Sequence, residues 1–107
     1  MIKVYIASPY SKGDQGLNVK RQMDVAEELM AAGFCPIIPL LLHFQHIAHP
    51  RTYEHWLQIS REWLQGCDAV LRLPGESYGA DQEELLAHKT KIPVYHSVEA
   101  LLYSMGV

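Results

Sequence analysis

The chain has 107 residues, a formal net charge of −3 and 49% apolar residues. This length is typical of one domain, and the apolar content is sufficient for a hydrophobic core, which excludes an intrinsically disordered protein. The acidic balance argues against binding to a nucleic acid polymer, because such binding needs a basic surface.

The cysteines and the apolar runs indicate the compartment. Cys35 and Cys67 are the only cysteines and form no CxxC pair, so we expect free, buried thiols under reducing conditions. The longest apolar run, residues 35–42, contains two prolines and is too short to span a bilayer. A strand pattern begins at residue 2 with no signal peptide before it. We therefore expect a cytoplasmic protein with no membrane partner.

The N-terminal half predicts two strands and one helix. Residues 2–7 are mostly apolar, as in a strand that is covered on both faces. After a polar loop, residues 17–32 show helical spacing, and Gly33 suits the helix end. Residues 34–39 predict a second strand, with prolines that favour a sheet edge, and residues 40–50 an irregular segment. The predicted apolar stripe of the helix comprises Val19, Met23, Ala26, Leu29 and Met30.

The C-terminal half alternates between helices and strands. Residues 51–65 predict a helix that Thr52 caps, with Trp56 and Trp63 on an apolar stripe expected in the core or at a subunit interface. A strand over 68–73, a helix over 80–90 and a strand over 92–96 follow. Ser97 is expected to cap a last helix that ends near residue 104.

This alternation predicts an α/β fold with three αβα layers, of the flavodoxin or Rossmann type. We expect a parallel sheet of four to five strands in the order 2-1-3-4(-5). The chain then reverses direction between strands 1 and 3, and ligands bind at such a switch point. This argument places residues 8–13 opposite residues 74–79 across a crevice. We expect Ala7, Ser8, Pro9 and Tyr10 to bind the substrate there.

Common cofactor and metal motifs are missing from the sequence. It contains neither a Gly-rich dinucleotide fingerprint, nor a P-loop, nor a nucleophile elbow. His43, His46 and His49 are spaced by three and His55 follows, but residues 40–50 contain no acidic ligand and Pro50 interrupts the pattern. We therefore predict no metal and no cofactor, and we expect His43 to line a substrate pocket.

The segment over residues 71–85 is the most informative part of the chain. It reads as a buried strand, a loop rich in Pro, Gly and Ser, and a helix with Glu83 in its first turns. The N–H groups and positive dipole end of such a helix suit an anion, and Glu83 could be a nucleophile beside it. The alternative is an exposed glutamate that the helix dipole favours, and Glu84 is expected to face solvent.

Three segments, together with the order of strands and helices, resemble the nucleoside 2-deoxyribosyltransferase superfamily. They are residues 3–10, residues 62–70, and the Ser-x-Gly-x-x-x-Glu element of residues 77–83. The resemblance covers nearly the whole chain and implies a single domain of this type over residues 1–107. Members cleave or exchange the N-glycosidic bond of 2′-deoxynucleosides or of their 5′-monophosphates. The chain is most similar to the small branch that hydrolyses the 5′-monophosphates.

The resemblance implies a role for each matching residue. Glu83 matches the nucleophile, which forms a covalent intermediate with the sugar, and Tyr5 matches the tyrosine that supports it. Ser77 and Gly79 match residues that hold the 5′ end of the sugar. Enzymes for free nucleosides tend to carry Asp at the position of Ser77, and an Asp would repel a phosphate. Ser77 therefore favours 5′-monophosphates.

One position departs from the family pattern and leaves the function open. Ser60 aligns with an Asp that helps to protonate or orient the base in relatives, and a serine is a poor general acid. The chain is therefore either an N-glycosidase or deoxyribosyltransferase, or a nucleotide-binding module without turnover. A phospho-receiver domain is disfavoured, because residues 7–9 carry no acidic cluster. Relatives complete their pockets with neighbouring subunits, which implies a homodimer or a higher homo-oligomer.

Overall fold

The computed structural model describes residues 1–106 and contains a four-stranded parallel sheet. The strands lie in the order β2-β1-β3-β4. This order confirms the predicted α/β class and the 2-1-3-4 arrangement, with β2 at one edge. The strands are β1 (Lys3–Ala7), β2 (Cys35–Ile37), β3 (Ala69–Arg72) and β4 (Val94–Tyr95).

Five α-helices accompany the sheet in the described part of the chain. They are α1 (Gln15–Ala31), α2 (Leu42–Ala48), α3 (Tyr53–Leu64), α4 (Tyr78–Lys89) and α5 (Val98–Met105). The predicted caps are present, because Thr52 accepts a hydrogen bond from the N–H of His55 and Ser97 accepts one from that of Ala100. None of the helices within residues 1–106 is long and apolar enough to cross a membrane.

The sheet separates two hydrophobic cores, because successive side chains of a strand point to opposite faces. Val4 and Ile6 of β1 pack on one face with residues of α1 and α5. Tyr5 and Ala7 pack on the other face with residues of α3 and α4. Tyr5 is thus directed toward the helix that carries Glu83.

Two details of the predicted elements are wrong. Residues 40–50 are not irregular, because a 3₁₀ turn (Pro39–Leu41) leads directly into α2. Pro39 occupies the first position of that turn, where a missing N–H costs nothing. In α1, Met23 and Met30 are exposed, and the buried stripe includes Gln22 instead. The α-helical repeat places residues 19, 22, 26 and 29 on one face, and the two methionines fall at its edge.

Candidate active site

A cavity of about 720 Å³ lies beyond the carboxyl ends of β1 and β3. Its walls come from the loops that follow these strands, from α2 and α3, and from the start of α4. Ligands of open parallel sheets bind at this position, where the strand order reverses. A cavity of this volume can enclose a small ligand such as a nucleotide.

Glu83 is a buried carboxyl group that lines this cavity. Its residue is only 7% exposed, and the Tyr5 hydroxyl donates a hydrogen bond to its Oε2 atom. Ala80 and Ala87 share the buried face of α4 with Glu83. Because these neighbours are small, the helix packs close to the sheet and brings Glu83 to Tyr5. The alternative of an exposed glutamate is therefore wrong, whereas the adjacent Glu84 is partly exposed.

Burial raises the pKa of Glu83 from its ordinary value of 4.5 to about 7. The hydrogen bond from Tyr5, the hydroxyl of Ser60 and the positive charges of Arg61 and Arg72 lower it by smaller amounts. Burial and the negative charge of Glu83 raise the pKa of Tyr5, so this phenol stays a hydrogen-bond donor. Both protonation states of Glu83 are populated near neutral pH, which suits a group that takes part in chemistry.

Ser77 and Gly79 form the start of α4 at the cavity wall. Ser77 is the N-cap, and its hydroxyl oxygen accepts a hydrogen bond of 3.1 Å from the N–H of Ala80. The first N–H groups of a helix have no acceptor within the helix. A Cβ atom at Gly79 would lie 3.0 Å from the Tyr53 hydroxyl, so the glycine allows this phenol to approach the helix start.

Arg72 stabilises the loop between β3 and α4 through hydrogen bonds to its backbone. Its buried guanidinium donates hydrogen bonds to the carbonyl oxygens of Leu73 and Gly75, at 2.7 and 2.9 Å, and forms an ion pair with Asp81 at 3.0 Å. Gly75 has a φ of +123°, and a Cβ atom there would lie 2.7 Å from Cγ of Pro9. The two loops that flank the cavity therefore touch at this glycine.

Gln22 supports the opposite loop from α1. It is fully buried, and its amide nitrogen donates to the carbonyl oxygen of Ile6 at 3.0 Å and to the hydroxyl of Ser8 at 2.7 Å. Its amide oxygen accepts from the N–H of Leu40 at 2.9 Å. This one side chain therefore holds the end of β1 and the approach to α2 together. Sequence reasoning missed it, although its place in the 19-22-26-29 stripe indicates burial.

The histidines of α2 form hydrogen bonds with aromatic side chains. The Tyr10 hydroxyl lies 2.6 Å from Nδ1 of His43. The indole N–H of Trp56 donates to Nδ1 of His46 at 2.7 Å. No group of three His, Cys, Asp or Glu side chains within residues 1–106 is arranged to hold a metal ion.

The structure brings most of the expected site residues to one cavity. The lining includes Ser8, Tyr10, His43, Ser60, Ser77, Gly79 and Glu83. Tyr5 is fully buried behind this lining and donates a hydrogen bond to Glu83. Ala7 and Pro9 do not line the cavity, because Ala7 is fully buried and Pro9 packs against Gly75.

Other lining residues were not expected from the sequence. Trp56 was expected in the core or at an interface, but it lines the cavity, whereas Trp63 is exposed. Further unexpected lining residues are Gln15, Gln22, His46, Arg51, Tyr53 and Leu57. Most of them lie on α2, on the first two turns of α3 or in the connecting segments, which the strand pattern does not place in space.

Comparison with known proteins identifies a family and a fold. The family model of a domain of unknown function, DUF7768, matches residues 2–97. The chain belongs to the DUF7768 family. No curated protein matches it. This DUF7768 domain resembles the solved structure of a 2-deoxyribosyltransferase from the psychrotolerant bacterium Bacillus psychrosaccharolyticus, with a TM-score of 0.58 and 19% identity over 86% of this chain and 69% of that one. The two proteins share a fold.

The raised pKa of Glu83 predicts a pH-dependent gain in stability for Glu83→Gln. Because the folded-state pKa of about 7 exceeds the ordinary value of 4.5, the folded wild type loses stability as the pH rises from 4.5 to 7. The neutral amide avoids this loss. We expect the free energy of unfolding of the variant to exceed that of the wild type by about 3 kcal/mol at pH 8, and by little at pH 4.5.

Denaturant unfolding at the two pH values measures this difference. The matched control is Glu27→Gln, which removes the same charge from an exposed position of α1 and should change the free energy of unfolding by less than about 0.5 kcal/mol at either pH. A gain for Glu83→Gln that is equal at both pH values would contradict the assigned pKa.

Proposed function

We propose that this protein cleaves the N-glycosidic bond of 2′-deoxynucleoside 5′-monophosphates with Glu83 as the nucleophile. The observation that carries the proposal is a buried carboxyl group, held by Tyr5, that opens into a cavity of nucleotide size. The shared fold supports it, because the solved neighbour is a 2-deoxyribosyltransferase described as a biocatalyst for the synthesis of nucleosides. The sequence resemblance over residues 1–107 supports a single domain of that type.

The geometry of Glu83 suits attack on the sugar. Cleavage passes through a state with positive charge near C1′, which a facing carboxylate stabilises before it forms a covalent bond to the sugar. Tyr5 engages Oε2, so Oε1 is the atom that bonds to C1′. Water then releases the sugar, or a second base accepts it. Since the pKa of Glu83 is about 7, its reactive ionised form is available at neutral pH.

The start of α4 and Lys12 support a phosphorylated substrate. Ser77 and the first N–H groups of α4 suit an anion at the cavity wall. Lys12 also lines the cavity and forms an exposed ion pair of 2.9 Å with Glu76, across the gap between the two loops. An exposed pair of this kind contributes little stability, so a phosphate can replace Glu76 as the partner of Lys12.

A second candidate function is a nucleotide-binding module without turnover. The observation that favours it is Ser60, which lines the cavity where relatives carry an acid and whose hydroxyl donates to the carbonyl oxygen of Leu57 at 3.1 Å. In this second candidate, the same residues bind the nucleotide and its base is never released.

Release of free base tests the proposed enzyme. We expect the wild type to release base from a deoxynucleoside monophosphate, and Glu83→Gln to lower the rate by about a thousandfold or more, because the amide cannot attack C1′. Chromatography of the products measures the rate, and calorimetry should show that the variant still binds the nucleotide. An unchanged rate in Glu83→Gln would reject Glu83, and a wild type that binds without base release would support the second candidate.

Lys12 should determine the preference for a phosphate. We expect Lys12→Met to raise KM for a monophosphate about fivefold, which corresponds to about 1 kcal/mol for one exposed charge. KM for the matching nucleoside should stay constant. The control is Lys20→Met, because Lys20 forms a similar exposed pair with Asp24 on α1, away from the cavity. Equal effects of Lys12→Met on both substrates would contradict this role.

We also propose that the protein forms a homodimer or a higher homo-oligomer. Phe44 and Ile47 are 56% and 65% exposed on α2, next to the cavity, and Leu41 extends this apolar surface by one turn. Contiguous exposed apolar side chains commonly mark an interface. Sedimentation should give a mass of at least twice the 12.2 kDa of the chain, and Ile47→Asp should shift it toward the monomer. A monomeric wild type that is fully active would refute the assembly.

A further inference from the structure

Two histidines of α2 line the cavity, although neither belongs to a metal site. His43 and His46 are three residues apart and therefore share one face of the helix. In both rings Nδ1 already contacts another side chain, at 2.6 Å from Tyr10 and 2.7 Å from Trp56. The polar atom that remains for a ligand is Nε2 in each case.

His46 is held in a single tautomer, whereas His43 is not. The indole N–H of Trp56 and the backbone N–H of Arg51, at 2.7 and 3.3 Å from Nδ1 of His46, can only donate. Nδ1 must therefore accept, and the proton of the neutral ring lies on Nε2. The partner of His43 is the Tyr10 hydroxyl, which can donate or accept a hydrogen bond. Either tautomer of His43 is therefore compatible with this contact. His46 is thus the ring with a defined donor.

Ser60 has no proton to offer to a departing base. Its hydroxyl carries a single proton and has two acceptors in its own surroundings, the carbonyl oxygen of Leu57 at 3.1 Å and the carboxylate of Glu83. When the glycosidic bond breaks, its electron pair moves onto the base, and a hydrogen-bond donor is needed there. The donor must come from another wall of the cavity.

We propose that His46 donates its Nε2–H hydrogen bond to the base, at N7 of a purine, and that Trp56 is the positioning residue that keeps the proton on Nε2. This inference rests on the proposed glycosidase function. The bond from C1′ to the base breaks as Oε1 of Glu83 bonds to C1′, and the electron pair goes to the base. The hydrogen bond stabilises the resulting negative charge. The water that later breaks the bond between Glu83 and the sugar gives its hydroxyl to C1′ and its proton to the base, so His46 neither gains nor loses a proton.

The test compares two substrates, of which only one needs a hydrogen-bond donor at N7. One is 2′-deoxyguanosine 5′-monophosphate, and the other is its 7-methyl derivative, whose base is already cationic and leaves as a neutral molecule. We expect His46→Phe to lower kcat about 30-fold for the unmodified nucleotide, as for the loss of one hydrogen bond to a charged group. The change for the methylated substrate should be less than twofold, which also shows that the variant is folded.

Two further variants separate donation from structural support. Trp56→Phe keeps His46 but removes the shorter of the two hydrogen bonds to its Nδ1 and leaves only the 3.3 Å contact of the Arg51 N–H. The Nε2–H tautomer is then held less firmly, and we expect kcat to fall about fivefold for the unmodified nucleotide alone. His49→Phe is the matched control, because His49 is an exposed histidine at the end of α2 that does not line the cavity. It should leave both substrates unaffected.

Each contrary result has a distinct meaning. Equal losses on both substrates, or no loss in His46→Phe, would overturn the donor role while base release by the wild type upholds the glycosidase. A wild type that releases pyrimidines but no purine would overturn the assignment to N7. A wild type that releases no base from any deoxynucleotide would overturn the proposed function and this inference together.

Discussion

The hydrogen bond between Tyr5 and Glu83 is the interaction on which the rest of the site depends. It joins the central strand β1 to α4, across 78 positions of sequence, and it lies on the face of the sheet that α3 and α4 cover. Removing a carboxylate from water is costly, and this cost raises the pKa of Glu83. The single phenolic donor offsets part of it. The fold therefore keeps one acid where its charge is unfavourable, as is common at functional sites.

The strand pattern was sufficient to predict the sheet, whereas the roles of Tyr5 and Glu83 were predicted from the family resemblance. Parallel order follows from the alternation of strands with helices, and the order of the strands places the loops after β1 and β3 side by side. The spacing of Glu83 to Ala80 and Ala87 is compatible with burial on one helical face, but an exposed glutamate remained the alternative until the structure showed the burial. The side chain of Tyr5 points to the same layer because of strand alternation.

The outer wall of the cavity could not be predicted in the same way. The helix α2 has seven residues, which is too few to be stable alone, so packing rather than propensity forms it. The contacts of His46 with Trp56 and of Tyr10 with His43 join segments that no strand rule relates. Gln22 was missed for a different reason, because a polar residue on a helix is ordinarily assigned to the surface. Its hydrogen bonds offset the cost of burying it in the apolar stripe.

Arg72 has a consequence for how this site can vary. The guanidinium holds backbone carbonyls of the turn rather than its side chains. Apart from Gly75, whose φ of +123° requires glycine, the path of the turn therefore depends little on the identity of its residues. Glu76 is one such residue, and its exposed side chain lies at the mouth, or rim, of the cavity. Substitutions there can alter which ligand charge the rim tolerates without moving the helix that carries Glu83. A fixed backbone with exchangeable residues at the cavity mouth allows the choice of ligand to change while the buried carboxyl group stays in place.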